Sequence, residues 1–165
     1  MEEKYNSVKD TSEHKKRVGQ LIAKICENLI ERAIKHDNSK LESPEKEYFD
    51  VYTPLLKKLD YGSKEYKESL KKLDLALNHH YEHNSHHPEF YKKGIDDMSL
   101  LDIVELFADW KAATERHDTG DIEKSIEINQ KRFNISKQLC NIFRNTVKEM
   151  GWEKDDKEKT EEESK

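Results

Sequence analysis

The chain has 165 residues, of which 33% are hydrophobic and 39% charged, and its formal net charge is −5. That length suits one domain with a real core. The charge excludes a general binder of long nucleic acid, which would carry a basic excess. No stretch approaches the roughly 18 consecutive apolar residues of a membrane span. Cys26 and Cys140 lie in helical apolar patterns and form no Cys-x-x-Cys pair, so neither a zinc knuckle nor a disulfide framework is expected. The N-terminal Met-Glu-Glu-Lys-Tyr has no apolar run behind it, and a cytoplasmic location is expected.

Glycine and proline are sparse, strand-like alternation is hard to find, and the periodicity predicts an all-α fold of about five main helices. Residues 1–11 are polar and expected to be flexible. Thr11 or Ser12 can cap a first helix running to about Lys35, with Val18, Leu21, Ile22, Ile25, Leu29, Ala33 and Ile34 at helical spacing. His36-Asp37-Asn38-Ser39-Lys40 reads as a polar turn. Ser43-Pro44-Glu45 then starts a second helix, with a capping serine, proline at the first position and an acid near the positive end. It carries Tyr48, Phe49, Tyr52, Leu55, Leu56 and Leu59 and stops near Gly62, and Pro54 should kink or divide it. A third helix begins at Ser63 and runs through Tyr66, Leu70, Leu73 and Leu77 towards Pro88. Ser99 and Asp102 resemble a capping box, although the box prefers Glu or Gln. They open a fourth helix, Leu100 to Arg116, with Leu101, Val104, Phe107 and Ala108 as core. A fifth is expected from Asp121 to about Met150, ending at Gly151, with Ile122, Ile126, Phe133, Ile135, Leu139, Ile142 and Phe143 on its apolar side. Residues 12–152 thus read as one helical domain. Residues 153–165 read as a charged tail, with too little apolar surface to order itself.

Five of the eight histidines, His79, His80, His83, His86 and His87, crowd into the end of the third helix. Positions 80, 84 and 87 of a continuous helix share a face, and the same stripe runs back through Leu77, Leu73 and Leu70. His80 and His87 are therefore expected to point inward. Clustered inward imidazoles need partners, and a metal ion satisfies several at once. His36, Asp37 and Asp109 offer further nitrogen and oxygen ligands of the kind that manganese, iron or zinc accepts. Glu105 lies one turn before Asp109 and shares its face, which suits either a metal and a bound water or a solvated stripe.

The order of a His-Asp pair, then histidines, then a downstream aspartate on a helix resembles the HD-domain metal-dependent phosphohydrolases. More narrowly, His36-Asp-Asn-Ser-Lys40, Asn84-Ser-His-His-Pro-Glu89 and Glu105-Leu-Phe-Ala-Asp-Trp110 are similar to a small HD-like family of unknown function in bacteria and their phages. The similarity spans about residues 12 to 147. It implies an HD-like helical fold in which His36, Asp37 and Asp109 bind metal. A dinuclear centre would add His80 and His87, with His83 and His86 as alternates. The HD pattern also has a histidine upstream of the pair, and only His14 is available. An unbroken helix would put His14 about 33 Å from His36. Either that helix breaks, around Asn28, or the first ligand has moved into the histidine stretch, which is the expectation favoured.

The function expected is metal-dependent hydrolysis of a small phosphorylated substrate, a nucleotide. Glu105 or His83 would act as base, Lys40 would hold the phosphate, and Lys111 and Arg132 are further candidate cations. The alternatives are a di-iron oxygenase on a similar scaffold and a non-catalytic nucleotide- or metal-binding module. The partners expected are the small substrate and, in addition, a second copy of the chain in a homo-oligomer.

Overall fold

The computed structural model describes residues 5–56, 64–116 and 120–153. Among these are six α-helices, three short 3-10 turns and no strand, as the helical periodicity predicts. Leu59, Gly62, Ser63 and the tail from residue 154 lie outside the described residues, as do the side chains of Tyr66 and Leu70. Contacts divide the chain into two compact units, Met1–Asn38 and Ser39–Lys165.

The first unit is a single helix, α1, Val8–Lys35. It starts earlier than Thr11, so residues 8–11 extend the helix instead of preceding it. None of its residues is buried. Val18, Leu21, Ile22 and Ile25 are exposed, because one helix alone offers its apolar stripe no second surface within the unit. The helix passes Asn28 without a break. His14 and His36 therefore lie about 33 Å apart along its axis, and cannot ligate one ion.

In the second unit, α2 (Glu45–Leu56) packs against α3 (Lys64–His83). Helix α2 begins at Glu45, after a cis Ser43–Pro44 peptide, and not at Pro44. Pro54 falls in its last turn, where its missing N–H forfeits one bond, to the Asp50 carbonyl. Among the described side chains of α3, the apolar Leu73 and Ala76 are buried.

Three further helices, α4 (Leu100–Thr114), α5 (Ile122–Phe133) and α6 (Lys137–Glu149), build the main core. The long fifth helix expected from Asp121 to Met150 is two helices. Asn134 adopts a left-handed conformation (φ 49°) at the end of α5, and Ser136 caps α6 by accepting from the Leu139 N–H. Asparagine tolerates that conformation, and serine is a favoured cap. Leu106, Phe107, Trp110, Ile122, Ile126, Ile135, Cys140, Phe143 and Val147 form the core cluster. Phe107 stacks on Phe143 with ring centroids 4.7 Å apart. Val104, Ala108 and Ile142, expected inside, are exposed, because the buried stripe of α4 runs through Asp102, Leu106 and Trp110 instead. Gly151, at φ 64°, turns the chain after α6 so that the Trp152 N–H reaches Val147 O, and Trp152 packs back on Phe107.

Candidate metal centre

The site grows from the C-terminal end of α3. The buried stripe through Leu73 and Ala76 continues to His80, which is 1% exposed. The helix stops at His83. The helical periodicity expected to place His87 beside His80 therefore does not reach it. A turn brings it back, in which the His87 N–H donates to the Asn84 carbonyl at 3.1 Å. His80 Nε2 and His87 Nε2 are then 2.9 Å apart. The same turn buries His86, which is 2% exposed. Its ring centroid lies 4.2 Å from that of His87 and 5.9 Å from that of His80. One ring nitrogen from each of His80, His86 and His87 lies within 4.8 Å of the others.

Carboxylates surround these rings. Glu45, at the start of α2, is fully buried. Its Oε1 accepts from His79 Nδ1 at 2.8 Å and its Oε2 from His80 Nδ1 at 2.9 Å. Glu105 Oε1 is 3.3 Å from His86 Nδ1. Asp109, one turn further along α4, is half-buried, and its charge acts on His87. Burial is the main cause that lowers the His87 pKa to about 3; the His86 and His80 rings and the Lys40 ammonium push the same way, and only Asp109 opposes them. His87 is thus neutral at pH 7, the form in which an imidazole ligates.

That shift predicts an acid effect on the metal-free protein. Below the ordinary value of 6.5 the unfolded chain binds a proton that the folded chain refuses until about 3. Stability should therefore fall as pH drops from 6.5 towards 3. In urea melts, His87→Gln should show a shallower decline across that window, and an equal decline would contradict the assignment.

A second buried carboxylate holds the turn in place. Asp102 accepts from Ser85 Oγ at 2.9 Å, Tyr91 Oη at 2.8 Å, and the Ser99 N–H and Oγ at 2.8 and 2.6 Å. With the Asp102 N–H donating to Ser99 Oγ, Asp102 closes a true capping box at the start of α4. Ser85 and Tyr91 bracket His86 and His87, so the box fixes the site's loop to the main core.

The other expected residues fall as follows. His36 closes the end of α1, and its Nε2 lies 3.6 Å from Asp37 Oδ2. Asp37 sits at φ 58°, a left-handed conformation that aspartate tolerates better than most residues. Lys40 Nζ lies 5.7 Å from the centre of the Phe49 ring, and its charge reaches His87. His83 is exposed, stacks on His79 with centroids 4.0 Å apart, and donates from Nδ1 to the His79 carbonyl. Lys111 pairs with Glu115 and lies over Trp152. Arg132 donates to Glu89 at 2.8 Å, and its charge is stabilised by Tyr81, whose ring centroid is 4.9 Å from that of His87. Reading the sequence assigned no site role to Glu45, Ser39 or Asn84. Glu45 had a sufficient local explanation as an acid in the first turn of a helix, which hid its long-range partners.

The donors present suit a divalent ion: three imidazoles and nearby carboxylates, with Cys140 sequestered in the core. Oxygen and nitrogen ligands without thiolate fit manganese, iron or an open zinc site better than a closed structural zinc. No described helix is long and apolar enough to cross a membrane. The chain belongs to a family known as Family of unknown function (DUF5662), whose model matches residues 3–149. No curated protein and no solved structure matches it.

Proposed function

We propose that the chain is a metal-dependent phosphohydrolase acting on a small phosphorylated substrate, a nucleotide. The observation that carries this reading is the convergence of His80, His86 and His87 beside Glu105, Asp109 and Lys40. His80, His87 and Asp109 would hold the ion, and the resemblance adds His36 and Asp37 to that set. The resemblance of the His-Asp pair, the histidine stretch and Asp109 to the HD phosphohydrolases points the same way.

A divalent ion there would supply Lewis acidity towards a phosphoryl oxygen. The chain's own groups do the rest. Lys40 offers a positive charge to the phosphate. Arg132, held by Glu89 and Tyr81, offers a second cation at the margin of the site. Glu105 is the base nearer the imidazoles and takes the proton of the attacking water on its carboxylate.

The test is phosphate or pyrophosphate release from a panel of mono- and dinucleotides, with manganese added. The expected result is metal-stimulated turnover of at least one, abolished in Asp37→Asn. Dioxygen consumption with ferrous iron and no hydrolysis would replace this reading with an oxygenase. Tight nucleotide binding with neither reaction would replace it with a binding module.

A further inference from the structure

The carboxylate of Glu45 has no part in the reaction proposed above, yet it is fully enclosed. The two amide hydrogens of Asn84 go to Ser39 Oγ and to the His80 carbonyl, each at 2.8 Å. The Ser39 hydroxyl, already accepting from Asn84, donates its own hydrogen to Glu45 Oε2 at 3.0 Å. His80 Nδ1 therefore has neither Asn84 nor Ser39 left to accept from, although they lie 3.0 and 3.1 Å away. It faces Glu45 Oε2 at 2.9 Å. A bare nitrogen there would set lone pair against lone pair in a buried site, so Nδ1 carries the hydrogen. In the neutral ring His80 Nε2 is then the accepting nitrogen, and the hydrogen of its 2.9 Å contact with His87 Nε2 belongs to His87.

We propose that Glu45 is a positioning residue, which holds His80 in its Nδ1–H tautomer and so presents Nε2 to the metal. This rests on the metal reading above. A carboxylate behind a ligating imidazole fixes the ring's orientation and raises its basicity. Here one carboxylate serves two consecutive histidines. Its other oxygen takes the Nδ1–H of His79, which is 32% exposed, so both carboxylate oxygens accept from imidazoles. Ser39 and Asn84 complete the arrangement by using up the donors that would otherwise stabilise the opposite tautomer.

Long-range 1H–15N spectra of the metal-free, labelled protein read the tautomer directly. The wild type should show the His80 hydrogen on Nδ1. Glu45→Gln, whose amide can donate to Nδ1, should move it to Nε2 and weaken zinc or manganese binding by about 10- to 100-fold. Glu45→Asp, which keeps the charge, should recover part of that loss. His79→Ala should leave the His80 tautomer unchanged and metal affinity within about threefold. A wild-type hydrogen on Nε2, or wild-type affinity in Glu45→Gln, would overturn the proposal. The tautomer in the wild type needs no variant to fold. If the wild type binds no ion, the metal reading fails, while the spectra still decide whether Glu45 orients His80.

Discussion

Asp37→Asn and Asp109→Ala are each expected to strip the bound metal from protein purified without chelator, whereas His14→Ala should retain it in full. Asparagine is the better replacement at position 37. It tolerates the left-handed backbone found there (φ 58°), so loss of metal reports the missing charge and not a strained turn. At position 109 the carboxylate raises the pKa of His87 against burial and the neighbouring cation and rings. Its removal takes away a hard oxygen donor from beside three imidazoles. His14 is the contrasting case, because α1 is continuous from Val8 to Lys35 and carries it about 33 Å from His36. Elemental analysis after size exclusion gives the stoichiometry. Metal lost from His14→Ala as completely as from Asp37→Asn would restore the usual HD ligand order. The two aspartate variants should also lose the stabilisation that a bound ion confers.

Asp102→Ala should be the most destabilising single change near the site, by about 3 kcal/mol. It leaves Ser85, Tyr91 and the Ser99 N–H and hydroxyl without the acceptor they share, and it opens the capping box of α4. Burial alone would raise the Asp102 pKa, but the bonds from Ser99, Tyr91 and Ser85 outweigh it and hold the group down at about 2, against an ordinary 3.8. The folded pKa is depressed, so the contribution is present above 3.8 and is lost as pH falls through about 2. The stability gap between wild type and Asp102→Ala should accordingly be widest near neutrality and close across that acid interval. Urea melts at several pH values measure it. A gap under about 1 kcal/mol at pH 7 would mean that solvent replaces Asp102 as the acceptor. The turn carrying His86 and His87 hangs from Ser85 and Tyr91, so metal affinity should fall in the same variant.

Local rules were enough to read several features from sequence. The all-α class follows from periodicity, the inward face of His80 from the leucine stripe through Leu73, and the start of α4 from Ser99 and Asp102. Each depends on neighbours three or four residues apart, and such neighbours are set by helix geometry alone. The break at Asn134 was legible too, from an asparagine followed by a capping serine, but the continuous apolar spacing on both sides masked it.

Residue order by itself determined the helices, the concentration of imidazoles at the end of α3 and the continuity of α1 that sets His14 apart. Only the tertiary structure decided that α3 ends at His83, that the turn after it returns His87 to within 2.9 Å of His80, and that Glu45 stands behind His79 and His80 from 34 and 35 residues away. The physical reason is the range of the interactions. A cap or an apolar stripe is encoded within one or two turns of chain. A buried carboxylate takes whichever donors packing brings to it, and the spacing of letters along the chain carries no record of that choice.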